Sequence, residues 1–250
     1  MQSAAQQALE IEQVSDHPLA GQEMTGSDII VQVLAQEKTD VIFGYSGGAI
    51  LPTYDAVFRF NEQTNDAMPL IVPANEQGAG FMASGYARAS GKVGVVMVTS
   101  GPGATNTVTP VMADSIPIVV ICGQVPTAAI GSDGFQEAPI ANIMGAVAKH
   151  IFLVTDPTKL ESTIRTAFEI ARTGRPGPVV IDIPKDVQNW VGPFNGRGRL
   201  PVRGYRERMH AVIASELTAD KRKQFYDALS QAERPLIYAG GGAINGEASE

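Results

Sequence analysis

The chain has 250 residues, 44% of them hydrophobic, which allows one large globular domain or one domain plus part of another. Its formal net charge of −7 provides no basic surface for a nucleic-acid backbone or for anionic lipid, so neither partner is expected. No apolar run approaches the ~18 residues of a spanning helix, and Cys122 is the only cysteine. A reducing, cytoplasmic compartment fits this composition.

Residues 1–23 contain acidic side chains but no arginine, no lysine and no long apolar stretch, which predicts a mobile tail rather than a targeting peptide. From Thr25 onward, short β-branched runs alternate with longer helical patterns. This alternation predicts an α/β fold, a parallel sheet with helices on both faces. The predicted strands are nearly continuous apolar runs, as expected of buried parallel strands: Val41–Phe43, Leu70–Val72, Val93–Val98, Ile116–Ile121, Ile151–Val154 and Val179–Ile183.

The end of the chain has a different composition. Residues 188–212 mix proline, glycine and charged side chains, which predicts a linker after a first domain at 24–187. A helical pattern at Glu216–Gln231 and an apolar run at Pro235–Ala239 follow. About 38 residues with one strand cannot form an independent core. Residues 213–250 are therefore predicted to be the truncated start of a second, Rossmann-like domain.

Three glycine clusters follow predicted strands, at the carboxyl edge of the sheet where open α/β folds bind ligands. The first of them matches the Gly-x-Ser-x-Gly elbow of serine hydrolases, with Ser46 as nucleophile. Only His150 and His210 follow Ser46, and neither lies in a recognisable loop, so a plain strand-to-helix turn is favoured over the hydrolase. The clusters are Gly44-Tyr45-Ser46-Gly47-Gly48, Ser100-Gly101-Pro102-Gly103 and Gly131–Gly134.

Glu76 opens a predicted helix that is rich in small residues. A glutamate in the first turn is favoured by the helix dipole, which is sufficient to explain it. If Glu76 is buried, its pKa must rise, and the protonated carboxyl could donate a hydrogen bond to a ring nitrogen. Residues 99–106 present backbone amides where a cofactor edge could bind, although a plain turn fits equally well. The three histidines lack metal-ligand spacing, and no metal site is predicted.

Several strings, taken together and in this order, resemble the pyrimidine-binding domain of acetohydroxyacid synthases. The first four are Phe43–Pro52, Asn75–Gly80, Gly85–Gly91 and Thr99–Asn106, followed by Asp114–Pro117, Gly123–Thr127, Phe135–Glu137, Gly174–Val179 and Asp182–Val187. The resemblance covers residues 24–187. The remainder is similar to the start of the central, FAD-associated domain of the family.

The resemblance implies a thiamine diphosphate-dependent enzyme of branched-chain amino-acid biosynthesis, leading to valine and isoleucine. Such an enzyme decarboxylates pyruvate and joins the two-carbon fragment to pyruvate or 2-oxobutyrate, giving 2-acetolactate or 2-aceto-2-hydroxybutyrate. It also implies bound FAD, Mg²⁺ held by a domain beyond this segment, a homodimer or tetramer, and a small regulatory subunit. Each active site of the family lies between two subunits.

The resemblance also implies roles for individual residues. Glu76 would be the catalytic glutamate that hydrogen-bonds the aminopyrimidine of thiamine diphosphate. The other implied contacts are Gly47, Gly48, Ser115 and Gln136 to thiamine diphosphate, Arg175 to FAD, and Pro126, Phe135, Lys149 and Lys185 to the substrate channel.

The chain departs from the family pattern in several places. Ser46 stands where a proline is usual, Ala74-Asn75 replace a basic residue and a histidine, and Gly134 replaces an alanine. The segment 107–113 is about three residues shorter than the helix of the family, which puts the position of Ser115 in question. The Gly-Asp-Gly…Asn motif that holds Mg²⁺ and the diphosphate does not occur. Another thiamine-dependent carboligase or decarboxylase, or a non-catalytic interaction domain, therefore remain alternatives.

Overall fold

The computed structural model describes residues 17–112, 115–214 and 218–246. The described chain divides into two compact units, residues 17–200 and residues 201–246. In these described ranges, no helix is both long enough and apolar enough to cross a bilayer.

The larger unit alternates strands and helices. Its strands are β1 (Glu23–Thr25), β2 (Ile42–Tyr45), β3 (Leu70–Ile71), β4 (Gly94–Val98), β5 (Ile118–Gln124), β6 (His150–Leu153), β7 (Val179–Pro184) and β8 (Val191–Pro193). Its helices are α1 (Gly26–Gln36), α2 (Leu51–Thr64), α3 (Glu76–Ser90), α4 (Pro102–Thr105), α5 (Val108–Val111), α6 (Ile140–Gly145), α7 (Leu160–Arg172) and α8 (Lys185–Asn189). Short 3-10 turns occupy Thr127–Ala129 and Pro157–Lys159.

A six-stranded parallel sheet forms the centre of this unit, in the order β3-β2-β4-β5-β7-β6. All six predicted strands are present, with ends that move by up to three residues. The α/β fold class is therefore confirmed. Strands β4, β5 and β7 are buried along their whole length, because helices cover both faces of the sheet.

The two faces of the sheet are packed differently. On one face, the predicted helical stripes of α1 and α7 are buried, with Ile30, Leu34 and Phe168 almost completely inaccessible. On the other face, α3 turns small side chains toward the sheet. A Cβ on Gly94 would lie 2.5 Å from the carbonyl oxygen of Ala83, so strand and helix are in direct backbone contact. This close packing explains why α3 is rich in small residues.

The predicted linker, residues 188–212, contains regular structure at both ends, a strand at its start and a helix from Tyr205 onward. Strand β8 pairs antiparallel with β1, a pairing that the sequence patterns did not predict. Phe194 is fully buried and its ring meets that of His17 edge-on, at a centroid distance of 5.1 Å. Residues 1–16 of the predicted tail lie outside the described residues, whereas 17–25 are attached to this segment. The domain boundaries stay a prediction.

The smaller unit contains three helices, α9 (Tyr205–Ala214), α10 (Ala219–Gln231) and α11 (Gly241–Asn245). The helix predicted at 216–231 is confirmed from Ala219, and residues 216–217 lie outside the described residues. The strand predicted at Pro235–Ala239 is absent. Leu236, Ile237 and Tyr238 are exposed, and no described strand pairs with the segment, so its backbone has no hydrogen-bonding neighbour that would make it a strand.

Candidate active site

Glu76 lies at the carboxyl edge of the sheet, as the first residue of α3. The preceding Asn75 caps this helix, since its side-chain oxygen accepts a hydrogen bond from the backbone N–H of Gly78 at 2.8 Å. Glu76 itself is half-buried. Its Oε2 accepts a hydrogen bond from Nδ2 of Asn106 at 2.9 Å, which fixes the orientation of the carboxyl group.

Two glycine turns close around Thr99, beside Glu76. A Cβ on Gly103 would lie 2.6 Å from Cγ2 of Thr99 and 3.2 Å from Oε1 of Glu76. A Cβ on Gly47 would lie 2.5 Å from the same threonine. Thr99 also accepts a hydrogen bond from the backbone N–H of Ala49 at 3.3 Å. Glycine is therefore needed at 47 and 103 for space, and Gly47 is brought to the Glu76 site.

Tyr54 lies under the same turns. Its hydroxyl donates a hydrogen bond to the backbone oxygen of Met97 at 3.0 Å. Burial raises the pKa of the Tyr54 phenol, and the negative charge of Glu76 raises it further. Gly44 leaves room for this ring, since a Cβ there would lie 2.3 Å from the hydroxyl oxygen. The phenol therefore stays neutral and acts as a rigid support for the site.

The loop at residues 131–138 carries Phe135 and Gln136. Gln136 has a positive φ of 57°, and a Cβ on Gly101, whose φ is 48°, would lie 2.0 Å from the Gln136 carbonyl oxygen. The Glu137 carboxylate closes the loop by accepting hydrogen bonds from the N–H groups of Gly131 and Gly134. These bonds lower the pKa of Glu137. Gln136 is thus held against the Gly101 turn, and the Phe135 ring is 88% exposed.

Pro126 and Lys185 follow the neighbouring strands β5 and β7 at the same edge. The Asp186 carboxylate connects the two strand ends by accepting hydrogen bonds from Thr127, at 2.9 Å from N and 3.1 Å from Oγ1. A cavity of about 510 Å³ opens beside this contact. It is lined by Thr127, Thr155, Pro157, Asp186, Val187, Asn189 and Trp190.

Ser115, Lys149 and Arg175 lie at the opposite, amino edge of the sheet, because they precede β5, β6 and β7. Ser115 has a left-handed φ of 59°, and its Oγ accepts a hydrogen bond from Nε of Arg175 at 2.7 Å. The Lys149 ammonium donates to the carbonyl oxygens of Ile170 and Thr173 at the end of α7. Burial lowers the pKa of Lys149 to about 8.

The predicted residues therefore form two groups. Glu76, Gly47, Gly48, Pro126, Phe135, Gln136 and Lys185 lie at the carboxyl edge, and Ser115, Lys149 and Arg175 at the amino edge. The seven residues of β5 separate the two edges by ~20 Å at ~3.3 Å per residue. Within one chain, Ser115 therefore lies far from Glu76. Ser115 and Arg175 were predicted to contact different cofactors, but they are hydrogen-bonded to each other.

The geometry does not support the serine hydrolase. Ser46 lies at the carboxyl edge, whereas His150 begins β6 at the amino edge. Ser46 also lacks the positive φ that would mark a strained backbone. In the part of the chain that the structure describes, no group of three histidine, cysteine, aspartate or glutamate side chains could hold a metal ion.

The site contains residues that sequence reasoning did not select. Asn106 was part of a recognised string, yet its bond to Glu76 spans 30 positions and had no signal of its own. Gln124 and Asp182 also stood in recognised strings, and the structure joins them by a buried hydrogen bond of 3.0 Å. A charged residue inside a strand that is otherwise apolar was the available signal for Asp182.

Comparisons with known proteins find a matching enzyme family and similar proteins. Residues 24–145 match the family model of the thiamine pyrophosphate enzymes, N-terminal TPP binding domain. The chain is 44% identical over 227 residues to the mitochondrial acetolactate synthase catalytic subunit of Saccharomyces cerevisiae, covering 89% of this chain and 32% of that protein. It is 42% identical over 234 residues to the acetolactate synthase large subunit of Corynebacterium glutamicum, covering 92% and 36%. The chain spans about a third of the length of these relatives.

Proposed function

We propose that this chain forms the pyrimidine-binding part of an acetohydroxyacid synthase. The premise is that it belongs to the thiamine pyrophosphate enzymes and is similar to acetolactate synthase catalytic subunits. The proposed reaction decarboxylates pyruvate and condenses the two-carbon unit with pyruvate or 2-oxobutyrate. The observation that carries the proposal is the placement of Glu76. It is half-buried at a helix start, oriented by Asn106 and surrounded by glycine turns.

The described residues fit the pyrimidine end of thiamine diphosphate. A flat ring needs backbone that can approach closely, and a Cβ on Gly48 would meet nothing within 4 Å, so this turn is open. Gly103 leaves space beside Oε1 of Glu76. Residues Glu76, Gly47, Gly48 and Gln136 would hold the ring. Ser115, predicted as a further contact, lies at the amino edge and cannot reach the ring that Glu76 of the same chain would hold.

Bound thiamine diphosphate supplies the carbon nucleophile and the electron sink for loss of carbon dioxide from a 2-oxo acid. The chain contributes a hydrogen-bonding carboxyl group at Glu76 that directs a proton on the pyrimidine ring. Asn106 keeps that carboxyl in one orientation through Oε2. The buried Tyr54 and Thr99 support the turns from below and exclude water from that side.

FAD and Mg²⁺ are proposed as further cofactors. The Arg175 guanidinium is exposed and uses one N–H for Ser115, so four N–H groups remain that could bind an anionic part of FAD. The ligands of Mg²⁺ are proposed to lie outside this segment, as the resemblance implies. Pro126, Phe135 and Lys185, at the carboxyl edge, are proposed to line the substrate channel. Lys149, predicted for the same channel, instead lies at the amino edge with its ammonium bonded to the end of α7.

The assembly and location of the protein are also proposals. The exposed Glu76 edge is consistent with a site completed by a second subunit, in a homodimer or tetramer. A small regulatory subunit is proposed because the relatives are named catalytic or large subunits. We further propose a pyrimidine-binding domain at 24–187, a linker at 188–212, the start of a second domain at 213–250, and a cytoplasmic location.

The decisive experiment measures acetolactate formation from pyruvate with thiamine diphosphate, Mg²⁺ and FAD. The protein tested, called the extended protein, is this chain together with whatever its reading frame encodes after Glu250, alongside its Glu76→Gln variant. We expect activity that falls by about 10²–10⁴-fold in Glu76→Gln, because the amide cannot take part in proton transfer. The 250-residue chain alone is expected to form no acetolactate.

Glu62→Gln provides the matched control, because Glu62 is an exposed glutamate on α2 outside the site. It should retain full activity. An extended protein that is folded but inactive on pyruvate would contradict the proposal. Activity on another 2-oxo acid that is lost in Glu76→Gln would instead identify a different thiamine-dependent carboligase or decarboxylase.

A further inference from the structure

A buried pair of side chains, Gln124 at the end of β5 and Asp182 in β7, lies beneath the loop at 131–138. Cys122 and Asp182 are direct partners in the sheet. Side chains alternate along a strand, so Asp182 points to the same face as Val180, the face covered by α6. Asp182 is 1% exposed and Gln124 is 3% exposed. Neither side chain can therefore contact a substrate directly.

Gln124 connects the sheet to the loop. Its Nε2 donates one hydrogen bond to Oδ2 of Asp182 at 3.0 Å and another to the carbonyl oxygen of Ala138 at 3.3 Å. Its Oε1 accepts a bond from the backbone N–H of Val125 at 2.8 Å. With three bonds to three different segments, the amide has one orientation. Ala138 is the last residue of the loop that carries Gln136.

The other side of the loop is held by backbone packing. The Gln136 carbonyl lies against Gly101, where no side chain would fit. The Glu137 carboxylate ties the loop to itself through Gly131 and Gly134. At the end of the loop, the Ala138 side chain packs against the core, and its carbonyl oxygen accepts hydrogen bonds from Gln124 and from the backbone N–H of Ile140. The bond from Gln124 is the one that joins this carbonyl to the strands of the sheet. Removing this contact would free the loop to move relative to the Gly101 turn.

The cost of burying Asp182 argues that it has a specific role. Its Oδ1 has no hydrogen-bond partner within the described residues, and an unpartnered buried polar atom is unfavourable. A leucine or valine would remove this cost in a strand that is otherwise apolar. The same replacement would, however, remove the oxygen that accepts a hydrogen bond from Gln124 and orients it. Burial also raises the pKa of Asp182, so the neutral carboxyl suffices for this contact.

We propose that Asp182 and Gln124 are positioning residues that hold the 131–138 loop, and with it Phe135 and Gln136, at the carboxyl edge of the sheet. The role assigned to Gln136 rests on the proposed function. The positioning itself does not, because it concerns contacts within this chain. The two can therefore be tested separately.

The test is amide hydrogen exchange of the 250-residue chain, followed by mass spectrometry on peptides that cover residues 127–139. Gln124→Leu and Asp182→Ala should accelerate exchange of the amides of Ser132, Gly134 and Glu137 about tenfold. Asp182→Asn should leave it within about twofold of the wild type, because the amide oxygen still accepts from Gln124. Rescue by this conservative variant separates positioning from a general packing effect.

Gln188→Leu is the matched control. Gln188 is another fully buried glutamine, but it bonds to Thr53 and to the carbonyl oxygens of Ala49 and Ile183. Its replacement should not accelerate exchange in the loop selectively. Unchanged loop exchange in Gln124→Leu, equal acceleration in Gln188→Leu, or failure of Asp182→Asn to match the wild type would each overturn the proposal.

A second readout links positioning to the reaction. In the extended enzyme, Gln124→Leu should raise the thiamine diphosphate concentration needed for half-maximal activity about tenfold, with a smaller change in kcat. Accelerated exchange without this effect would contradict the role of Gln136 in cofactor binding and leave the positioning of the loop intact. An unchanged exchange pattern would overturn the positioning whatever the activity.

Discussion

The protonation of Asp182 should make the stability of the larger unit depend on pH. Burial raises the pKa of Asp182 from 3.8 to about 7, against the effect of its hydrogen bond from Gln124. Between these two values the folded chain keeps the proton and the unfolded chain does not. The free energy of unfolding therefore falls as pH rises through this window, and the loss is complete above the folded pKa.

The magnitude follows from the size of the shift. Each pH unit within the window corresponds to ~1.4 kcal/mol. From pH 5.5 to pH 8, this carboxyl group should remove ~2 kcal/mol from the free energy of unfolding. Asp182→Asn has no titrating group at this position and keeps the hydrogen bond to Gln124. The variant should thus become more stable than the wild type by a margin that grows by ~2 kcal/mol over this range.

Urea unfolding at several pH values measures this difference. Trp190, the only tryptophan, lies in the larger unit and reports its unfolding through fluorescence. At each pH, the free energy of unfolding of the wild type is subtracted from that of the variant. The contributions of all the other carboxyl groups cancel in this difference. Stability curves that run parallel across the range would refute the reasoning, because they would show that Asp182 is ionised in the folded chain at pH 5.5.

Two further substitutions test the packing around the site and the buried ion pair of α7. Gly101→Ala should destabilise the larger unit by ~2 kcal/mol or more, because the new Cβ would collide with the Gln136 carbonyl at a residue whose φ is positive. Gly48→Ala is the control and should change stability by less than ~1 kcal/mol, because a Cβ there meets nothing within 4 Å. Equal urea midpoints for the two variants would contradict this packing. Glu161→Gln should cost ~3 kcal/mol, because it leaves the Arg165 charge buried without its 2.5 Å partner. Asp227→Asn, which breaks the exposed ion pair with Lys223, should lower stability much less in thermal unfolding. Similar losses of stability in the two variants would mean that the buried pair contributes little.

Local pattern was sufficient to predict much of the fold. The six strands of the parallel sheet follow from apolar runs, and the helix stripes follow from a period of 3.6 residues, because both depend on neighbouring positions along the chain. The carboxyl-edge position of Gly47, Gly101 and Glu76 also follows, since each comes directly after a strand in a sheet whose strands all run the same way. These features are determined by the sequence itself.

Only the tertiary structure decided which distant residues meet. The bond from Asn106 to Glu76, the tether between Gln124 and Asp182, and the pairing of β1 with β8 join residues 30 to about 170 positions apart. The same is true of Ser115, whose contact with Arg175 arises at the amino edge of the sheet. Such contacts depend on strand order and on how turns pack against each other. Strand order and turn packing cannot be predicted from the periodicity of a single segment. Periodicity indicates which side of a helix or strand is buried, but not which other element covers that side.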